Sequence, residues 1–208
     1  MEIERKWMVA GWPGSDLSQS LPLLYTEYQE QGYIHTDAPI VRIRLEARIR
    51  NDFADQVVQA EKSRGISHGI NDAPLLLSDA ARALVQDRNS SFILCFKSAG
   101  LLAREEIELP ISEEDFKRLA RLASHSLIRK IRRVYQLPDG LKLEVNLVDE
   151  GLSSEFMYAE VEYADEANAR SWDPASVGLG SYLSDDVTHK SGQSMSAFWA
   201  RTRGTQTV

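Results

Sequence analysis

The feature that most constrains this chain is a strand pattern, repeated along its length, in which one face is apolar and the other carries charges two residues apart. Side chains alternate across a strand, so residues i and i+2 share a face. In Glu2-Ile3-Glu4-Arg5-Lys6-Trp7 the shared positions are Glu2, Glu4 and Lys6. In Val41-Arg42-Ile43-Arg44-Leu45-Glu46, Arg42, Arg44 and Glu46 oppose Val41, Ile43 and Leu45. Phe92 to Lys97 reads as a mostly apolar strand, ended by the turn signal Ser98-Ala99-Gly100. Arg104, Glu106 and Glu108 alternate with Glu105, Ile107 and Leu109 as far as Pro110. Lys130 and Arg132 face away from Ile131, Lys142, Glu144 and Asn146 from Leu143, Val145 and Leu147, and Glu160 and Glu162 from Ala159, Val161 and Tyr163. Hairpin signals such as Pro138-Asp139-Gly140 make the sheet antiparallel.

A one-sided antiparallel sheet could leave such a face in water. Like charges at i and i+2 repel, however, so Arg42 with Arg44, Lys130 with Arg132, Glu2 with Glu4 and Glu160 with Glu162 call for opposite charge between them. Curling the sheet into a barrel meets that demand, because all the charged faces then line one lumen, and roughly eight strands leave room for a small ligand. The expected architecture is α+β: an eight-stranded antiparallel β-barrel with flanking helices.

Helices are few. Ser112-Glu113-Glu114-Asp115 is an N-cap with acids in the first turn, followed by Phe116, Leu119, Ala120 and Ala123 on one face. Others are expected from Ser78 to about Gln86 and around Met195, Phe198 and Trp199. The whole chain, residues 1–208, reads as one domain with an insertion at about 49–90, longer than a hairpin needs.

Composition excludes several classes. A net charge of −7 argues against a nucleic-acid coat, while allowing a local basic pocket. No apolar run approaches the roughly 20 residues that span a bilayer, so no membrane partner is expected. Cys95 is the only cysteine and cannot pair internally, which suits a reducing cytoplasm, and it sits in an apolar strand as a core residue rather than a nucleophile. His35, His68, His125 and His189 show no metal-ligand spacing. In Arg129-Lys130-Ile131-Arg132-Arg133 the alternation splits the cations between two faces, unlike a continuous nucleic-acid patch.

Taken in order, these segments resemble the CYTH superfamily, the triphosphate tunnel metalloenzymes. Glu2-Ile3-Glu4-Arg5-Lys6 is similar to its Glu-x-Glu-x-Lys, Gln31-Gly32-Tyr33-Ile34 to Gln-Gly-Tyr-Leu and Arg42-Ile43-Arg44 to Arg-x-Arg. Phe96 to Gly100 resembles its strand ending in Lys, Arg104 to Glu108 its Arg-x-Glu-x-Glu, Lys130 to Arg132 its Lys-x-Arg, and Ala159 to Glu162 its late Glu-x-Glu. Apart from the insertion, the likeness runs from Met1 to about His189. Two departures stand out. Glu144-Val145-Asn146 has an amide where the family has Glu-x-Asp, and Asp186-Val187-Thr188 lacks the Arg-Tyr that follows it in the family, leaving Lys190 as a substitute cation.

The resemblance implies a triphosphate tunnel. Lys6, Arg42, Arg44, Lys97, Arg104, Lys130, Arg132 and Lys190 would bind phosphate oxygens, Arg supplying bidentate forks. Glu2, Glu4, Glu160 and Glu162, with Glu144 and Asn146 as further candidates, would hold Mg²⁺ or Mn²⁺. The alternative for these acids is simple pairing with the lumen cations. Lys6, Tyr33, Glu106 and Glu108 are the expected catalytic residues: Tyr33 either as base or as a hydrogen-bonding ligand, Glu106 and Glu108 orienting water or pairing with the basic ring. Inorganic triphosphate is the first substrate expected. Thiamine or nucleoside triphosphate hydrolysis, class IV-like adenylate cyclisation and non-catalytic polyphosphate binding are the alternatives. An RNA 5′-triphosphate is the one nucleic-acid partner admitted, and the insertion could cover the tunnel mouth or serve a homodimer.

Overall fold

A computed structural model of the protein describes residues 1–14, 21–49, 90–123 and 125–203. Ten strands are found there: β1 (Glu2–Val9), β2 (Leu23–His35), β3 (Ile40–Ile49), β4 (Ser91–Lys97), β5 (Ala103–Arg104), β6 (Glu106–Pro110), β7 (Ile128–Gln136), β8 (Lys142–Val148), β9 (Phe156–Glu162) and β10 (Asp185–Asp186). Three α-helices accompany them, α1 (Glu113–Ala120), α2 (Glu166–Ser171) and α3 (Met195–Arg203).

The strands form one sheet in the order β10-β1-β9-β8-β7-β2-β3-β4-β6, with β5 on β1. Because β5 and β6 are separated only by Glu105, one extended stretch pairs with β4 through Lys97↔Glu106 and with β1 through Glu2↔Arg104. That stretch turns the sheet into a nearly closed antiparallel barrel of eight walls. The seam on β1 is two residues long, Glu2↔Arg104 and Ile3↔Ala103, while farther along β1 Trp7 and Met8 pair with β10. Gly100 makes the turn into this seam possible. Its φ of +145° is open to glycine, and a Cβ there would lie 2.1 Å from the Ala103 carbonyl oxygen.

The apolar strand faces point outward and are covered. Ile43, Leu45 and Tyr28 pack under Phe116 and Ala120 of α1. Ser112 caps that helix by accepting the Asp115 N–H at 3.0 Å, and Glu113, Glu114 and Asp115 in the first turn complement its dipole. On the other side Ile3, Trp7, Leu143, Val145 and Val161 pack with Ala169, Leu179 and Leu183 from the chain after β9. Burial of each such large side chain contributes about 2 kcal/mol.

The third core cluster sits at one end of the lumen. Phe198 and Trp199 of α3 pack on Tyr33, Ile128, Val148 and Tyr158, so this helix covers the barrel end from which β7 starts and at which β8 finishes. Trp199 Nε1 donates to the Ser126 carbonyl at 2.9 Å, and Arg203 pairs with the buried Asp149 at 2.6 Å.

The expected helices at Ser112 and Met195 are present, whereas α2, capped by Asp165, was not foreseen. Strand β2 begins at Leu23, well before the Gln31–Ile34 motif that marks its end in the sequence. Residues 50–89, the body of the expected insertion, and with them the Ser78–Gln86 helix and His68, lie outside the described residues. No described helix is long and apolar enough to cross a membrane.

Candidate active site

Alternation along each wall delivers the charged side chains to one place. A cavity of about 420 Å³ is lined by Lys6 from β1, Arg42 and Arg44 from β3, Lys97 from β4, Arg104 from β5, and Lys130 and Arg132 from β7. Glu2, Glu4, Glu106, Glu108, Glu144, Glu160 and Glu162 line the same space, with Gln31, Tyr33, Tyr158 and Thr188. Lys190 also reaches it but is largely exposed, and its Nζ lies 3.2 Å from Asp185 Oδ1.

Acids and bases pair across the lumen. Arg104 bonds Glu2 at 2.7 Å and also Glu4. Lys97 meets Glu2 at 3.0 Å and Glu106 at 2.7 Å. Arg42 donates to Glu106 and Glu108, each at 3.1 Å, and Arg44 to Glu108 at 2.9 Å. Arg132 pairs with Glu144 at 3.0 Å, and Lys6 with Glu160 at 3.4 Å. Lys130 differs: its Nζ donates to the Tyr158 hydroxyl at 3.1 Å.

These pairings leave the acids unequal. Burial, then Glu160, raises Glu4 to about 7 against the pull of Arg104. Burial also acts upward on Glu160, but Lys6, Lys130 and Arg132 together outweigh it and hold that carboxyl below its ordinary range. Glu162 is raised by burial and by Glu2 and Glu144. Glu106, although burial opposes it, is drawn down to about 2 by a hydrogen bond with Glu2 and by Lys97 and Arg42. Glu4 stands directly across from Glu162 in the β1–β9 register, and Glu144 across from Glu160. Facing carboxylates repel, so Glu4 with Glu162 and Glu144 with Glu160 put hard oxygen donors of like charge side by side on the lumen wall.

Asn146 stands apart from those donors. Its Oδ1 accepts from Arg132 Nε at 3.2 Å, its Nδ2 is buried without a hydrogen-bond partner among the described residues, and it is not among those that line the cavity. Cys95 Sγ, Glu106 and Glu108 offer ligand atoms within 4.8 Å of one another. Arg42 bonds both of those glutamates and Lys97 bonds Glu106, just as Arg104, Lys97 and Lys6 bond Glu2, Glu4 and Glu160.

Tyr33 is buried in the wall, and its hydroxyl accepts from Gln31 Nε2 at 3.0 Å. Burial pushes its pKa up, outweighing the opposing pull of Arg42, Arg104 and Arg44, so the phenol keeps its proton near neutrality. Gly32 lies where Leu127 crosses the strand, and a Cβ would come within 2.5 Å of Leu127 Cδ2. Arg5, inside the Glu-x-Glu-x-Lys run, faces outward to Asp186 at 2.6 Å and the Trp172 carbonyl at 2.7 Å. Thr188 joins the wall by accepting the Lys6 N–H at 3.0 Å.

Sequence reasoning passed over Tyr158, Glu27 and Gln29. Each lies at even spacing from a residue it did single out, Tyr158 from Glu160, and Glu27 and Gln29 from Gln31 and Tyr33, so extending the alternation would have found them. Gln29 Nε2 bridges Glu46 at 3.0 Å and Glu27 at 3.3 Å.

Three likenesses to known proteins cover most of the chain. The chain is 25% identical over 189 residues to the inorganic triphosphatase of Nitrosomonas europaea, which spans 91% of this chain and 93% of that protein. A crystal structure of an inorganic triphosphatase aligns with 22% identity over 95% of this chain and 93% of its own, with a TM-score of 0.49. The PH1819 protein of Pyrococcus horikoshii aligns with 18% identity over 85% and 84% of the two chains, with a TM-score of 0.47. No family model matches. The fold itself rests on the strand pairing above: an eight-walled antiparallel barrel, closed through β5–β6, with a lumen of mixed charge.

Proposed function

We propose that this protein is a hydrolase of triphosphates, inorganic triphosphate first, that acts inside the barrel with a bound divalent metal. The observation that carries the reading is the convergence of seven Lys and Arg side chains from five strands on one cavity that also holds a cluster of carboxylates. An elongated polyanion would take over the lumen cations from Glu106, Glu108 and Glu144, the Arg forks gripping oxygens of successive phosphates. The 25% identity to an inorganic triphosphatase supports the same substrate class.

Glu2, Glu4, Glu160 and Glu162 would hold Mg²⁺ or Mn²⁺, which supplies Lewis acidity toward phosphoryl oxygens when bound. Positioning and charge neutralisation supply most of the rate of phosphoryl transfer. Lys6, Arg42 and Arg104 would orient the chain and offset charge as the terminal phosphoryl leaves. Tyr33, protonated and already accepting from Gln31, would donate its O–H to a phosphate oxygen rather than take a proton from water. Glu106, held ionised, would orient Arg42 and Lys97 until the polyanion takes them over. The free, buried thiol of Cys95 suits a reducing cytoplasm.

Purified protein incubated with tripolyphosphate and either Mg²⁺ or Mn²⁺ should release orthophosphate, faster than from ATP, thiamine triphosphate or a 5′-triphosphorylated RNA. Absence of turnover across this panel would overturn the hydrolase reading, and binding without turnover would make the barrel a polyphosphate receptor.

A further inference from the structure

Among the cations on the cavity wall, Lys130 is the exception. Lys6, Arg42, Arg44, Lys97, Arg104 and Arg132 each bond a carboxylate, which must release them before they can grip an anion. Lys130 has no carboxylate within 4.0 Å among the described residues; it is 3% exposed, and burial with Arg132, Arg44 and Arg42 holds its amine well below the ordinary lysine range against the more distant pull of Glu160. A buried amine amid like charge needs something to hold it. Its direct hydrogen-bond partner is Tyr158, whose hydroxyl accepts from Nζ at 3.1 Å, with Glu160 acting from farther off.

The same ring serves a second amine. Lys6 Nζ lies over the Tyr158 face, 3.7 Å from its centroid, within cation–π range. Tyr158 itself is fixed from behind: it is 1% exposed, stacks on Phe156 at 5.8 Å and 25°, and Phe156 meets Phe198 of α3 at 4.6 Å. An uncharged side chain thus aims two lysines without neutralising either.

We propose that Tyr158 is a positioning residue that presents the amines of Lys6 and Lys130 side by side to the incoming polyanion, through its ring face and its hydroxyl respectively. This rests on the reading of the barrel as a polyphosphate channel and adds a selectivity element to it. Lys130 gives up only one neutral hydrogen bond on binding, whereas each paired arginine exchanges a carboxylate for the anion.

The test uses Tyr158→Phe, Tyr158→Leu and Lys130→Ala in the full chain, with tripolyphosphate as probe and metal removed by a chelator. Tyr158→Phe keeps the ring and removes the hydroxyl, so calorimetric Kd should rise about tenfold. Tyr158→Leu should lose about a further tenfold. In a Lys130→Ala background Tyr158→Phe should add no loss, a coupling that general destabilisation would not produce. Independently of any ligand, the Lys6 ε-methylene protons should show an upfield ring-current shift in the parent and in Tyr158→Phe, which folds as the parent does, and lose it in Tyr158→Leu. Unchanged affinity in Tyr158→Phe, full additivity with Lys130→Ala, or an unshifted Lys6 methylene alongside intact binding would each overturn the assignment to Tyr158. Failure of the parent to bind tripolyphosphate would instead overturn the channel reading and, with it, the purpose given to this residue.

Discussion

Replacing Glu4 by Gln should stabilise the metal-free protein at alkaline pH and leave it unchanged in acid. Glu4 is hemmed by Glu160 and Glu2, and its carboxyl rises from 4.5 to about 7 on folding, chiefly through burial. At about 1.4 kcal/mol per pH unit, that rise corresponds to about 3 kcal/mol. Below 4.5 both folded and unfolded chains are protonated there, and Glu4 contributes no pH dependence. Between 4.5 and about 7 the folded state binds more proton than the unfolded one, so stability falls as pH rises; above about 7 the full penalty is present. The variant carries no charge to lose. Its advantage in urea unfolding with a chelator present should therefore be near zero at pH 4, grow through the interval, and level off at about 3 kcal/mol by pH 8. Adding Mg²⁺ at about 100 times its Kd should return about 2.7 kcal/mol to the parent and little to the variant, nearly closing the gap. An advantage independent of pH, or one that reverses sign as pH rises, would refute the account of Glu4 as a strained member of the metal-binding set.

Other expectations follow from single contacts. Gly100→Ala should lower stability by about 2 kcal/mol, seen as a lower thermal midpoint, because a Cβ cannot fit 2.1 Å from the Ala103 carbonyl oxygen. Asp149→Ala should cost about 3 kcal/mol by leaving Arg203 without its buried partner, and Asp149→Ala with Arg203→Ala should cost less than the two single changes added together in denaturant titrations. Tyr33→Phe should slow tripolyphosphate turnover about tenfold, the scale of one hydrogen bond to a charged group, with an unchanged pH profile; near-total loss would restore Tyr33 as a base.

The barrel was legible because period-two alternation survives without knowledge of any partner strand. Arg42 with Arg44 and Glu160 with Glu162 fix which face is charged, and like charge on a face asks for enclosure. Pairings were not legible, since they depend on register: nothing local says that Arg104 will meet Glu2, or that Arg132 will occupy the carbonyl of Asn146. The length of β2 was hidden because its outward face is mixed, with Tyr28 bonding a buried Glu30 at 2.8 Å, so the apolar half of the pattern fails there. Tyr158 was passed over because an aromatic in an apolar run reads as core, and core it is, although its even spacing from Glu160 puts it on the lumen face; its contacts with two lysines depend on β1 pairing with β9 and on β7 lying one strand beyond β8.

The two-residue join between β5 and β1 has a consequence for how the wall moves. Glu2 and Arg104 close the circle by backbone pairing and face the cavity by side chain. Local opening favours the place with fewest backbone bonds to break, and this junction has two register pairs against five between β4 and β6. Charge that draws Arg104 and Glu2 together latches the junction, and charge that separates them loosens it. The same two residues therefore belong both to the seam of the cylinder and to the ion-pair network of its interior, where Glu2 also meets Lys97 and Arg104 also meets Glu4.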